Sequence, residues 1–255
     1  MISKFKVYSL INKAKAMAGY KITDDFDWSI YNIHYRGELE NISKLNTLVL
    51  KEGDYSFQNG NLKRINHTIL PLHPNHRLLY ETILQLNPNS VIEFGCGGGD
   101  HLKNISILLP SVHLSGLELL SSQIRLCGKR HPKLKADIKK NDCTLPLPDN
   151  FARFDIAYTQ AVIMHLKTSN NHLTALANLF RSASKQVILM ENWKAHNFFE
   201  DIKRLFSLKM IPWENIFFYL RDSEELKKPH IMVVSANPLP QYTKLEDYSI
   251  LSSNV

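Results

Sequence analysis

Apolar residues in this chain gather into short runs, and between the runs they recur at every third or fourth position. Residues 91–94, 112–117, 154–158, 186–190, 217–220 and 230–236 are runs of the first kind. Runs of this length suit strands buried on both faces. Residues 100–109 and 172–182 lie between runs and read as helices. Residues 72–80 open another helix before the first run, with Pro74 and Asn75 as start signals. Strand and helix therefore alternate through the middle of the chain, which predicts an α/β domain with a parallel sheet. Upstream, residues 1–19 can form an amphipathic helix with Phe5, Tyr8 and Ile11 near one face and Gly19 as its stop.

The first run ends in an acid and a glycine-dense turn, Glu93-Phe94-Gly95-Cys96-Gly97-Gly98-Gly99-Asp100. Glycines at 95, 97 and 99 let the backbone turn sharply and approach a ligand where a Cβ would collide, and the next helix points its free N–H groups the same way. A dinucleotide loop, G-x-G-x-x-G, needs a third glycine at position 100, where Asp100 stands. The pattern is instead acid-x-Gly-x-Gly-x-Gly. The second run closes on Glu118, about 20 residues beyond the loop, where a carboxylate can accept two hydrogen bonds from a ribose diol. A solvated strand-end acid is the plainer reading of Glu118, as a turn-forming aspartate is of Asp142 in the segment Lys140-Asn141-Asp142-Cys143.

Together these residues resemble the class I S-adenosylmethionine-dependent methyltransferases, small-molecule type, over roughly residues 72–236. The resemblance implies a Rossmann-like fold with a mostly parallel seven-stranded sheet, an antiparallel C-terminal edge and a helical N-terminal extension. It divides the chain into an extension or cap at 1–70, a cofactor-binding domain at 71–236 and a loosely attached tail at 237–255. It implies S-adenosylmethionine as cofactor, with Glu93, Gly95, Cys96, Gly97 and Gly99 around its amino-acid end. Glu118 and Leu119 fall at the ribose, Asp142 and Cys143 at the adenine, and Gln160 and Ala161 at the turn after the fourth strand, facing sulfur and substrate. Tyr35 and Arg36, in an aromatic-rich stretch of the extension, are candidates for holding the cofactor carboxylate, since an arginine fork pairs bidentately with that group. The same stretch could equally serve only to dock the extension.

Methyl transfer to an alcohol needs a base as well as alignment, and a histidine has a suitable pKa. His165 is the first candidate, with a packing histidine as its rival. Glu191 is a second, if burial raises its pKa. Asn192, His196 and His73 are substrate-side candidates.

Composition narrows the classes. With 44% hydrophobic and 22% charged residues the chain reads as globular. No apolar run reaches the 18 or so residues of a membrane helix, and the N-terminus lacks a secretory core, so the expectation is a cytoplasmic protein. Three cysteines form neither a disulfide set nor a Cys-x-x-Cys pair, and no metal-ligand spacing is present. The net charge of +7 is spread over local groups, one of them at 129–140, without an RNA-binding signature. The expected partner is a small acceptor, anionic or sugar-linked, with a hydroxyl to methylate; nothing in the sequence sets an oligomeric state. RNA or protein methylation and a non-catalytic partner subunit are the alternatives.

Overall fold

The computed structural model describes residue 28, residues 47–221 and residues 231–245. An Asn59-Gly60 turn, both residues at positive φ, joins β1 (Tyr55–Gln58) to β2 (Asn61–Arg64) in a hairpin. Asn-Gly is the pair that a two-residue hairpin turn favours. The hairpin lies within the stretch 1–70 expected as an extension or cap, whose expected helix at 1–19 falls outside the described residues, and its Leu62 is buried in the same core as the helices beyond it.

Five strands then run parallel: β3 (Ser90–Phe94), β4 (His113–Glu118), β5 (Ala136–Lys140), β6 (Phe154–Gln160) and β7 (Ala183–Met190). Three more, β8 (Phe217–Arg221), β9 (Ile231–Ser235) and β10 (Thr243–Lys244), pair antiparallel. The order across the sheet is β10-β8-β9-β7-β6-β3-β4-β5. The sheet thus has one strand more than the seven expected, because residues 237–245 are not a loose tail. Leu239, Tyr242 and Leu245 are buried, and the Leu239 amide donates to the Tyr219 hydroxyl at 2.7 Å.

Helices α1 (Pro74–Leu86), α2 (Asp100–Leu108), α3 (Ser121–Arg130), α4 (Asn171–Arg181) and α5 (Phe198–Ser207) connect the strands. Successive residues of a strand face opposite sides of a sheet. Accordingly Ile92, Ala157, Val187 and Leu189 pack with α4 and α5, while Val91, Ile156, Ile188 and Met190 pack with α1, α2 and the hairpin. Helix α1 starts on Pro74 with the His73 ring accepting the Asn75 amide, and stops at Asn87 in the left-handed region. The strand order reverses at β3, which lies between β4 and β6, and the crevice at their carboxyl ends is where sheets of this kind bind ligands.

Candidate active site

The loop after β3 is shaped by its glycines. Gly95, Gly97 and Gly99 all have positive φ, between +52° and +75°. A Cβ on Gly95 would strike Val162, and one on Gly99 would strike Cys127. At Gly97 a Cβ would meet only Gln123 Oε1, at 3.9 Å, so this residue faces open space. The loop opens onto a cleft of about 680 Å³ bounded by the ends of β3, β4 and β6 and by the start of α1 and α2.

Glu118 ties the loop to β4. Its Oε2 accepts the Gly97 amide at 2.9 Å and its Oε1 the Leu120 amide at 2.7 Å, while burial pushes its carboxyl above the usual range. Glu93 lies on the cleft wall, buried, and its Oε2 has no hydrogen-bond partner among the described residues. Burial, with the nearby charges of Glu118 and Asp100, pushes it up to about 8. Asp142 also lines the cleft, with Oδ1 accepting the amide and hydroxyl of Thr144 in a local turn. Beside it Asn141 has a buried, unpartnered Oδ1.

Leu119, Cys96, Cys143, Gln160, Ala161 and His165 complete the predicted set on the cleft. Both thiols are held protonated by burial, Cys143 pushed up to about 12 and Cys96 well above its ordinary value, so neither is a nucleophile. Ala161 has φ +52°, a strained value for a residue with a Cβ, of the kind that collects at functional sites. His165 closes a single 3₁₀ turn, Ile163–His165, and its ring meets the edge of Trp28 with centroids 5.3 Å apart. Burial and Lys167 lower its pKa.

Other candidates stand elsewhere. Glu191 does not line the cleft: its carboxylate accepts the amides of Val162, Ile163 and Met164 and the Thr159 hydroxyl, and so builds the turn that carries His165. Asn192 is exposed and caps a turn through Lys194. His196 stacks on His172, with centroids 4.2 Å apart. His73 is the cap of α1 and is exposed. Tyr35 and Arg36 lie outside the described residues.

The structure brings in residues that spacing did not reveal. His76 of α1 and His101 of α2 both line the cleft, their rings 4.7 Å apart at 89°. Burial lowers them to about 4 and about 3, so both rings are neutral. Thr47, Gln123 and Thr144 also face the space.

The cleft fits a cationic ligand. Its acidic groups are Glu93, Asp100, Glu118 and Asp142 against Arg130, which is paired to Asp100 at 2.5 Å, and among the described residues no second arginine or lysine lines it. A sulfonium and an ammonium suit this acidic lining, where a cation would draw the proton off Glu93, and a pyrophosphate does not. Among the described residues no group of side chains could hold a metal, and no helix is long and apolar enough to cross a membrane.

Residues 92–190 match the family described as "Methyltransferase domain". No curated protein matches the chain. Among solved structures the chain is similar to CalS10 of Micromonospora echinaspora, an amino pentose methyltransferase involved in calicheamicin biosynthesis, with SAM bound. Identity is 21%, with 48% of this chain and 51% of that one covered and a TM-score of 0.41. It is also similar to the plantazolicin methyltransferase BpumL in complex with SAH, at 14% identity over 64% of this chain and 82% of that one, TM-score 0.48. A third is the methyltransferase domain of bacterial CtHen1, at 18% identity over 63% and 97%, TM-score 0.47. The chain spans about half the length of the first of these. The stretch 92–190 that matches the methyltransferase domain family holds the glycine loop after β3, the acid ending β4 and the parallel strands ordered β5-β4-β3-β6-β7.

Proposed function

We propose that the protein transfers a methyl group from S-adenosylmethionine to a hydroxyl of a small polar acceptor, such as a sugar, a nucleotide-sugar or a related metabolite of surface-glycan or secondary-metabolite biosynthesis. The observation that carries this reading is the half-buried imidazole of His165, kept neutral by burial, in the same cleft as the glycine loop and the unpartnered Glu93 carboxylate. S-adenosylmethionine supplies a methyl on a sulfonium, already a good leaving group. The chain's share is therefore alignment and proton removal.

Glu93 and Glu118 hold the amino-acid end and the ribose, and the Asn141-Asp142 turn receives the adenine. Gln160 and Ala161 border the transfer point. His165 Nε2 or Nδ1 takes the hydroxyl proton as the oxygen attacks, and Glu191 keeps the turn in place. The test is incubation of the purified chain with S-adenosylmethionine and a panel of sugars and nucleotide-sugars, read by mass spectrometry for a methyl gain. Saturable binding of S-adenosylhomocysteine with no methyl gain on any hydroxyl would move the acceptor to another class.

One observation favours a second reading, methylation of RNA. Arg125, Lys129, Lys133, Lys135, Lys139 and Lys140 are exposed on α3, β5 and the loop between them, with Asp137 the one exposed acid of that stretch. Lys140 adjoins the Asn141-Asp142 lip of the cleft. A polyanion bound there would leave as salt rises, whereas an uncharged sugar would not respond.

A further inference from the structure

We infer that Asp100 is a positioning residue of the glycine loop: through Arg130 and His131 it ties the loop and the start of α2 to the end of α3, and its charge offsets that of Arg130 at the cleft wall.

The residues of the loop divide between two surfaces. Gly97 looks onto open space, whereas a Cβ on Gly98 would lie 3.0 Å from Arg130 Nη1 and 3.5 Å from Leu126 Cδ2, and one on Gly99 would strike Cys127. Gly98 and Gly99 therefore lie against the last turns of α3, and Gly99, at φ +75°, leaves no room for a side chain.

Asp100 follows as the first residue of α2, where Gly99 brings no side chain to cap the helix. Both oxygens of its carboxylate turn to α3: Oδ2 accepts Arg130 Nη1 and Oδ1 accepts His131 Nε2, each at 2.5 Å. An ionised carboxylate only accepts, so His131 carries a hydrogen on Nε2. His131 is a firm anchor. Its side chain is 3% exposed, and its backbone amide closes α3 on the Cys127 carbonyl at 2.8 Å. Hydrogen bonds to a charged partner are the strong ones. The loop is thus held from two sides, by Glu118 of β4 through the Gly97 amide and by Asp100 through α3.

Asp100 and Arg130 also line the cleft, and Arg130 is the one arginine or lysine among the described residues to do so. Asp100 sets a negative charge against it, and the field of that carboxylate reaches Glu93, which it helps to raise. Removing the Asp100 charge makes the lining one unit more positive. A ligand with a sulfonium feels that change more than the same ligand with a neutral sulfur. A loosened loop costs both alike. The choice of ligands rests on the methyl-transfer reading above, but the clamp does not.

The clamp is therefore read first without ligand. The Gly97 and Gly99 amides are hydrogen-bonded, to Glu118 and to the Cys96 carbonyl, so both should exchange slowly with deuterium in the wild type. Asp100→Asn should speed that exchange on the order of tenfold while the amides of β6 and β7 keep their rates. Arg130→Gln should speed it to a lesser degree, and stands in if the Asp100 variant does not fold. Unchanged rates at Gly97 and Gly99 overturn the inference, and so does a rise shared equally by β6 and β7, which means general destabilisation.

Affinities for S-adenosylmethionine and S-adenosylhomocysteine are then compared by calorimetry. Asp100→Asn should weaken the first roughly three- to tenfold more than the second, and adding Arg130→Gln should return the ratio toward the wild-type value. Equal losses for both ligands overturn the charge offset and leave the clamp alone. If the wild-type chain binds neither molecule, the methyl-transfer reading fails while the exchange result stands.

Discussion

The Glu191 carboxylate holds the Met164 amide at 3.0 Å, and its other oxygen collects Val162, Ile163 and the Thr159 hydroxyl, so the end of β7 fixes the turn after β6. Glu191→Gln replaces one accepting oxygen by an NH₂ group and leaves at least one amide of the turn without an acceptor. Urea denaturation should show a loss of about 1–3 kcal/mol, the cost of an orphaned buried donor. If Glu191 were instead the base, the variant would keep its stability and lose turnover alone.

Glu93 gives the unliganded protein a pH dependence of definite sign. Its ordinary value of 4.5 is pushed up to about 8 in the folded chain, chiefly by burial. Between those limits the folded state binds a proton that the unfolded state does not, so this contribution is complete below pH 4.5 and is lost as pH rises through about 8. Thermal or urea stability should fall over that window, and Glu93→Gln should flatten the slope. Pairing with a ligand ammonium favours the carboxylate, so S-adenosylhomocysteine should release a proton on binding near neutral pH. Calorimetry in buffers of different ionisation enthalpy reads this directly; no proton release would separate Glu93 from the ammonium.

Glu118 and Gly97 should act on one quantity, cofactor affinity. Removing the carboxylate in Glu118→Ala takes away the acceptor of the Gly97 amide and, on the proposed reading, the partner of the ribose. Hydrogen bonds to a charged group contribute about 1.5–3 kcal/mol each, so affinity for S-adenosylhomocysteine should drop roughly 10- to 100-fold. Gly97→Arg should do at least as much, because the residue has φ +52° and points at open cleft. Two variants with wild-type affinity would move the cofactor away from this loop.

Much of this site was legible because its residues are neighbours in sequence. The acid, the glycines and Glu118 follow from the geometry of one strand, one turn and the next strand, and Asp142 and Gln160 each end a segment at the same edge of the sheet. His76 and His101 belong to α1 and α2, and only the packing of those helices on one face of the sheet joins them; on the sequence they are polar residues in amphipathic helices. Glu191 shows the same limit. A carboxylate at a strand's carboxyl end is in the right layer, but whether it faces ligand or backbone depends on the turn opposite. The hairpin has a local signal in Asn59-Gly60, but its four-residue strands hold too few apolar residues to stand out as runs, and residues 237–245 carry only the scattered apolar Leu239, Tyr242 and Leu245.

His165 is then the remaining candidate for proton removal, and its surroundings set the shape of its titration. Burial and Lys167 disfavour the imidazolium and hold its pKa below 6.5. The ring accepts a proton only when neutral, so turnover should be constant through neutral pH and fall as acidity passes the lowered value, on the acid side of 6.5. His165→Ala should reduce kcat about 100-fold or more, the usual contribution of a positioned base, and abolish that acid limb. Affinity for S-adenosylhomocysteine should change little, since the glycine loop, Glu93 and Glu118 are untouched. A ring that only packs on Trp28 predicts the opposite division: a modest loss of stability, turnover near wild type and an acid limb that survives the substitution.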